Sequence, residues 1–220
     1  MASYGRRKTW QIVVILVAAV IVWILDQRGQ GRSPSPEKSP ERESRSTTAA
    51  YESFTGCQMV EHRQNDGDSF RVKLPDGRVE QFRLYYVDAP ESDFRSYPGG
   101  KTNRQRIHEQ AREFGISDQQ AVEIGQRAKK LAHEALSRGS ITIQTKWDDP
   151  FNDRRYHAFV TPSKGPLLEE TLVREGLARI YTKPAPLPDG TGVKVQLKRL
   201  HELEADAKRA RRGAWGIAKH

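Results

Sequence analysis

Residues 66–91 read DGDSFRVKLPDGRVEQFRLYYVDAPE, and this stretch decides the fold. Phe70, Val72 and Leu74 alternate with Arg71 and Lys73, which is the two-residue period of a half-buried strand. Pro75-Asp76-Gly77 is a turn signal. Apolar residues then resume at Phe82, Leu84 and Tyr86, so the segment predicts a β-hairpin. Carboxylates cluster at its open end, with Asp66 and Asp68 at the entry and Asp88 and Glu91 at the exit. If Asp76-Gly77 centres the turn, Asp68 falls opposite about Tyr85.

Working outward, Phe54–His62 reads as an earlier strand, and 140–146 and 155–161 as two later ones. Helices separate and follow them. Ser117 with Gln120 has the form of a capping box, and Ala121 to Leu136 keep helical spacing before Gly139. Thr102–Phe114, Leu167–Glu175 and Val195–Arg212 are three further helical segments. Strands first and helices interleaved indicate an α+β domain, a small barrel or antiparallel sheet packed against helices.

The carboxylates permit chemistry. Oxygen-only donors suit Ca²⁺ or Mg²⁺ rather than zinc. Along a straight strand, Asp68 and Asp88 would stand about 10 Å apart, so a shared cation requires the 88–91 segment to curl back. Arg83 is odd-numbered among even-numbered core positions, and strict alternation puts it on the face opposite Asp88. One site then demands a bend or bulge near Tyr85–Val87. Arg155 opens a later strand. Arginine beside an acidic cluster is what a phosphodiester requires, because guanidinium groups neutralise phosphate charge bidentately. The same residues also read as a plain turn, a strand-terminating aspartate and surface arginines.

In detail, Asp66 to Phe70, Phe82-Arg83-Leu84 and Val87 to Glu91 resemble the staphylococcal nuclease (thermonuclease) family. The likeness continues at Gly125–Lys129, Arg155–Val160, Leu172–Ala178, Leu203–Lys208 and Gly213–Trp215. It covers about 54–217. The resemblance implies a five-stranded OB-type β-barrel with three or more helices and Ca²⁺-dependent hydrolysis of DNA and RNA with little sequence preference. Products would carry 5′-hydroxyl and 3′-phosphate ends. It implies Asp68, Asp88 and the Ala89 carbonyl as metal ligands, Glu91 as the residue that positions or deprotonates water, and Arg83 and Arg155 on the phosphate. Arg154 stands where the family often has glycine, so it and Tyr181 are candidate substrate contacts. Residues 92–118 look like an insertion. Their Arg95, Lys101, Arg104 and Arg106 read as a solvated helix face, with guidance of a nucleic-acid backbone as the alternative. A non-catalytic binding module on the same barrel is the rival function.

The rest of the chain differs in kind. Of 37 Lys+Arg and 28 Asp+Glu, eight and four lie in residues 1–50, so the net charge of +9 divides as +4 and +5. Residues 10–25, WQIVVILVAAVIVWIL, hold one polar side chain and follow Arg6-Arg7-Lys8. Residues 9–26 are therefore expected to form a membrane anchor with a cytoplasmic tail at 1–8. The stretch 27–50 is expected to be a disordered tether, and 51–220 a domain outside the cytoplasm. A cleaved signal peptide is the alternative, although no A-x-A-like site follows. One cysteine, Cys57, excludes an intramolecular disulfide framework, and the six histidines lack paired-ligand spacing. No obligate protein partner is implied.

Overall fold

The computed structural model describes residues 50–218. The anchor expected at 9–26 and almost all of the tether lie outside the described residues. No helix among the described residues is long and apolar enough to cross a membrane.

Five strands close a barrel: β1 (Glu52–Val60), β2 (Ser69–Lys73), β3 (Val79–Leu84), β5 (Ile141–Thr145) and β6 (Arg155–Thr161). The order around it is β1-β2-β3-β6-β5, the five-stranded OB-type arrangement the sequence implied. The hairpin is present, with Phe70 opposite Phe82 and Ser69 opposite Arg83. Strand β1 serves two partners. Residues 52–57 pair with β5 and 58–60 with β2, with a register shift between Phe54 and Cys57. Gly56 lies inside that shift at φ 80°, the left-handed conformation a bulge of this kind uses. Phe70, Val72, Phe82, Leu84, Ile141, Ile143 and Phe159 fill the interior.

Four helices surround the barrel: α1 (Arg104–Phe114), α2 (Asp118–Ser137), α3 (Leu168–Arg174) and α4 (Val193–Arg209). The Ser117–Gln120 capping box opens α2, both of its hydrogen bonds being made. Helix α2 buries Ile124, Ala128, Ala132 and Leu136. Two glycines let it lie directly on the hairpin's open end. A Cβ at Gly67 would stand 2.6 Å from the Cβ of Ala128. One at Gly125 would overlap the carbonyl oxygens of Pro90 and Glu91. The turns that carry Asp66–Asp68 and Asp88–Glu91 are thus pinned by close backbone packing. A short ladder, β4 (Val87–Asp88) with β7 (Arg179–Ile180), closes this end.

Candidate active site

Asp68 ends the loop before β2, and its carbonyl accepts the Leu84 N–H at 2.9 Å, one residue from the expected partner, Tyr85. The required bend is at Tyr86, whose φ is +68°. A buried aromatic residue there is a genuine backbone outlier. It is held by the Tyr86 N–H donating to the Lys183 carbonyl at 3.1 Å and by the Tyr86 hydroxyl donating to the Ala185 carbonyl. The Val87 N–H reaches back to the Tyr85 carbonyl at 2.9 Å. The bend breaks the alternation, so Arg83 and Asp88 share a face after all. Arg83 Nη2 lies 2.8 Å from Asp88 Oδ1 and 3.2 Å from Asp68 Oδ2.

Asp88 is 1% exposed and makes five charged or polar contacts. Oδ1 accepts from Arg83 and, at 2.7 Å, from Arg106 of α1. Oδ2 accepts from Arg179 Nε at 2.9 Å and Gln110 Nε2 at 2.9 Å, with an Arg179 Nη2 contact at 2.9 Å. Gln110 uses its whole amide: Nε2 also donates to the Ala89 carbonyl at 3.1 Å, and Oε1 accepts the Glu91 N–H at 3.1 Å. Glu91 is held from both sides, by Arg106 Nε at 3.0 Å and by Asn103 Nδ2 at 3.3 Å. Expecting the basic residues of 92–118 to form a solvated face therefore fails for Arg106. Helix α1 packs beside the cluster and turns Arg106 and Gln110, four residues apart on one face, into it.

These surroundings set the charges. Burial opposes ionisation of Asp88, but Arg106, Arg83 and Arg179 outweigh it and hold the carboxyl below its ordinary value. Burial raises Asp68, which Arg83 only partly offsets and Asp88 reinforces. Asp66 is pushed up to about 7 by burial, with Asp68 and Glu91 adding to the effect. A low-dielectric, like-charged setting favours the neutral acid in this way.

Asp68, Glu91, Arg106 and Arg155 line one open cleft of about 490 Å³. Arg155 reaches it because β3 and β6 pair in parallel with Gln81 opposite Arg155 and Arg83 opposite His157. The guanidinium of Arg155 is paired with Asp153. Arg154, in contrast, is exposed at φ +61° and does not line this cleft. Tyr181 is 64% exposed and lies over the Arg179 guanidinium, 3.9 Å from ring centroid to Cζ, in an adjoining depression with Glu113. The sequence named Arg106 only as a solvated residue or a guide for a nucleic-acid backbone, and it gave no role to Gln110 or Arg179. Arg179 had a findable signal, since it follows directly on the Leu172–Ala178 block.

A family model described as staphylococcal nuclease homologue matches residues 81–216. The chain belongs to this family. The match spans β3, the Asp88–Glu91 turn, Arg155 and all four helices, and it makes the domain a member of a family of nucleases. Among curated proteins no match is found.

The family is generally Ca²⁺-dependent, and the carboxylates with the Ala89 carbonyl are the donors a divalent cation would take. Oxygen ligands are the right chemistry. Their engagement is not, because both Asp88 oxygens and the Ala89 carbonyl already accept from guanidinium or amide donors. Arg83 Nε is buried without a hydrogen-bond partner, and Arg106 Nε faces Glu91 Oε1 at 3.0 Å without the alignment of a hydrogen bond. An unpartnered donor calls for an anion. Among the described residues no group of three or more His, Cys, Asp or Glu is arranged to hold a metal. As arranged, the site does not fit Ca²⁺.

Proposed function

We propose that the domain hydrolyses phosphodiester bonds of DNA and RNA with little sequence preference. The observation that carries this reading is the convergence of Arg83, Asp68, Asp88 and Glu91 at one end of a barrel, where Asp68 and Glu91 line an open cleft that Arg155 also lines. An open cleft suits a flexible single strand or a frayed duplex. Arg83 and Arg155 bind the phosphate from neighbouring strands and stabilise charge as it builds on the pentacoordinate phosphorus. Glu91, oriented by Arg106 and Asn103, positions the attacking water and takes its proton. Water oxygen bonds to phosphorus, the bond to the 5′ oxygen breaks, and that oxygen leaves protonated by solvent. The ends are a 3′-phosphate and a 5′-hydroxyl. The Ca²⁺ requirement that family resemblance attaches to Asp68, Asp88 and the Ala89 carbonyl takes no part in these steps.

The test is digestion of plasmid, single-stranded DNA and RNA by the full chain, with the ends mapped by kinase labelling. Cleavage is expected, with Arg83→Ala and Glu91→Gln each slowed about 100-fold. Intact substrate at high enzyme concentration would leave the binding-module reading in its place.

For the full chain, the apolar run at 10–25 and the basic cluster before it support a tethered enzyme acting outside the cytoplasm. A reporter fused after His220 should be active only outside the cytoplasm. Activity inside overturns this topology.

A further inference from the structure

Arg106 spans Asp88 and Glu91. Its Nη2 lies 2.7 Å from Asp88 Oδ1, and its Nε lies 3.0 Å from Glu91 Oε1. Asp88 is one of the carboxylates the resemblance gives to a divalent cation, and Glu91 is the one it gives to the attacking water. Around them, Arg83 pairs with Asp68 and Asp88, and Arg179 pairs with Asp88 and Glu113, so Asp88 alone is held by three guanidinium groups. A cation of charge +2 that takes the Asp88 oxygens must displace guanidinium groups already held there and forfeit the buried pairs they make.

Arg106 is also placed for substrate. Its side chain is 38% exposed, against 5% for Arg83 and 7% for Arg179, and it lines the cleft. Arg83 retains a buried Nε without an acceptor. A guanidinium offers its remaining donors to a phosphate in a planar fork, which an ammonium cannot do.

We propose that Arg106 is the resident cation of this acid cluster. It supplies between Asp88 and Glu91 the positive charge that a metal would supply, and it joins Arg83 on the scissile phosphate, so that cleavage needs no divalent ion. This rests on the nuclease reading above.

Two measurements on the full chain test it. Cleavage of a single-stranded oligonucleotide is followed in EDTA and in millimolar Ca²⁺, and Ca²⁺ binding is followed separately by calorimetry. The wild type should show rates within about tenfold of each other in the two buffers and no Ca²⁺ heat. Arg106→Ala should lose about 100-fold in EDTA, gain Ca²⁺ binding and recover rate when Ca²⁺ is added. Arg106→Gln keeps the stem without the charge and should follow the same pattern if the alanine variant fails to melt cooperatively. Wild-type cleavage that collapses in EDTA, or a wild-type Ca²⁺ heat lost on mutating Asp88, overturns the proposal. If no buffer supports cleavage, the nuclease reading falls, and calorimetry still decides. A silent wild type beside a Ca²⁺-binding Arg106→Ala upholds Arg106 as the resident cation, and a Ca²⁺-binding wild type refutes it.

Discussion

Asp88 and Arg179 face each other across the β4–β7 ladder, with Arg179 Nε 2.9 Å from Asp88 Oδ2. Both are buried, so solvent does little to replace either partner. Truncating one member of a buried pair costs about 3–5 kcal/mol because the other charge is stranded. Asp88→Ala takes one carboxylate partner from three guanidinium groups at once, whereas Arg179→Ala leaves Asp88 with two guanidinium partners. Urea denaturation should therefore find Asp88→Ala the more destabilising. A double-mutant cycle between them should give a coupling above about 0.5 kcal/mol.

The raised Asp66 acid makes a pH prediction. Its folded carboxyl titrates near 7, above the ordinary carboxylate range near 4. The folded state then holds a proton that the unfolded state releases, so this group's stabilisation is complete below the unfolded value and is lost as pH rises through 7. Asp66→Asn, which cannot ionise, should melt higher than wild type at pH 8, with the gap closing by pH 4. Equal melting curves at pH 8 would contradict the assignment.

His157 works in the opposite sense. It is fully buried, both ring nitrogens lack partners, and burial, reinforced by Arg83, lowers its titration to about 4. Stability from the neutral ring is present above the ordinary value near 6.5 and is lost as pH falls toward 4. His157→Phe removes unpartnered polar atoms that pack against Tyr85. It should be at least as stable as wild type at pH 7 and lose less stability on acidification, as read by thermal melts across pH 4–7.

Gly125 sits where α2 crosses the Asp88–Glu91 turn. A methyl group there overlaps the Pro90 and Glu91 carbonyl oxygens. Overpacking of this kind costs about 1–3 kcal/mol. Gly125→Ala should lower stability by that order and reduce cleavage by more than the unfolded fraction explains, because Glu91 moves with its backbone. Activity measured well below the melting transition separates the two effects.

The hairpin, the capping box and the helix spans were legible in residues 66–91 and 104–209, because alternation and helical spacing report burial directly. The need for a bend between Arg83 and Asp88 was also legible. So was its place near Tyr85–Val87, but not that Tyr86 takes the positive φ, which it adopts only because the Lys183 and Ala185 carbonyls hold it there. Gln110, and the carboxylate partners of Arg106, escaped for another reason. Their helix is mostly polar, and its sequence does not say which polar face meets a neighbour's carboxylates.

The burial of the central ion pairs separates two responses to ionic strength. Surface charges lose their mutual attraction over about 8–10 Å in ordinary buffers, and Lys101 and Arg104 are exposed. Asp88, Arg83 and Arg179, at 1%, 4% and 6% exposure, lie beyond the reach of mobile ions. Added salt would weaken whatever Lys101 and Arg104 attract long before it disturbed the ion pairs around Asp88.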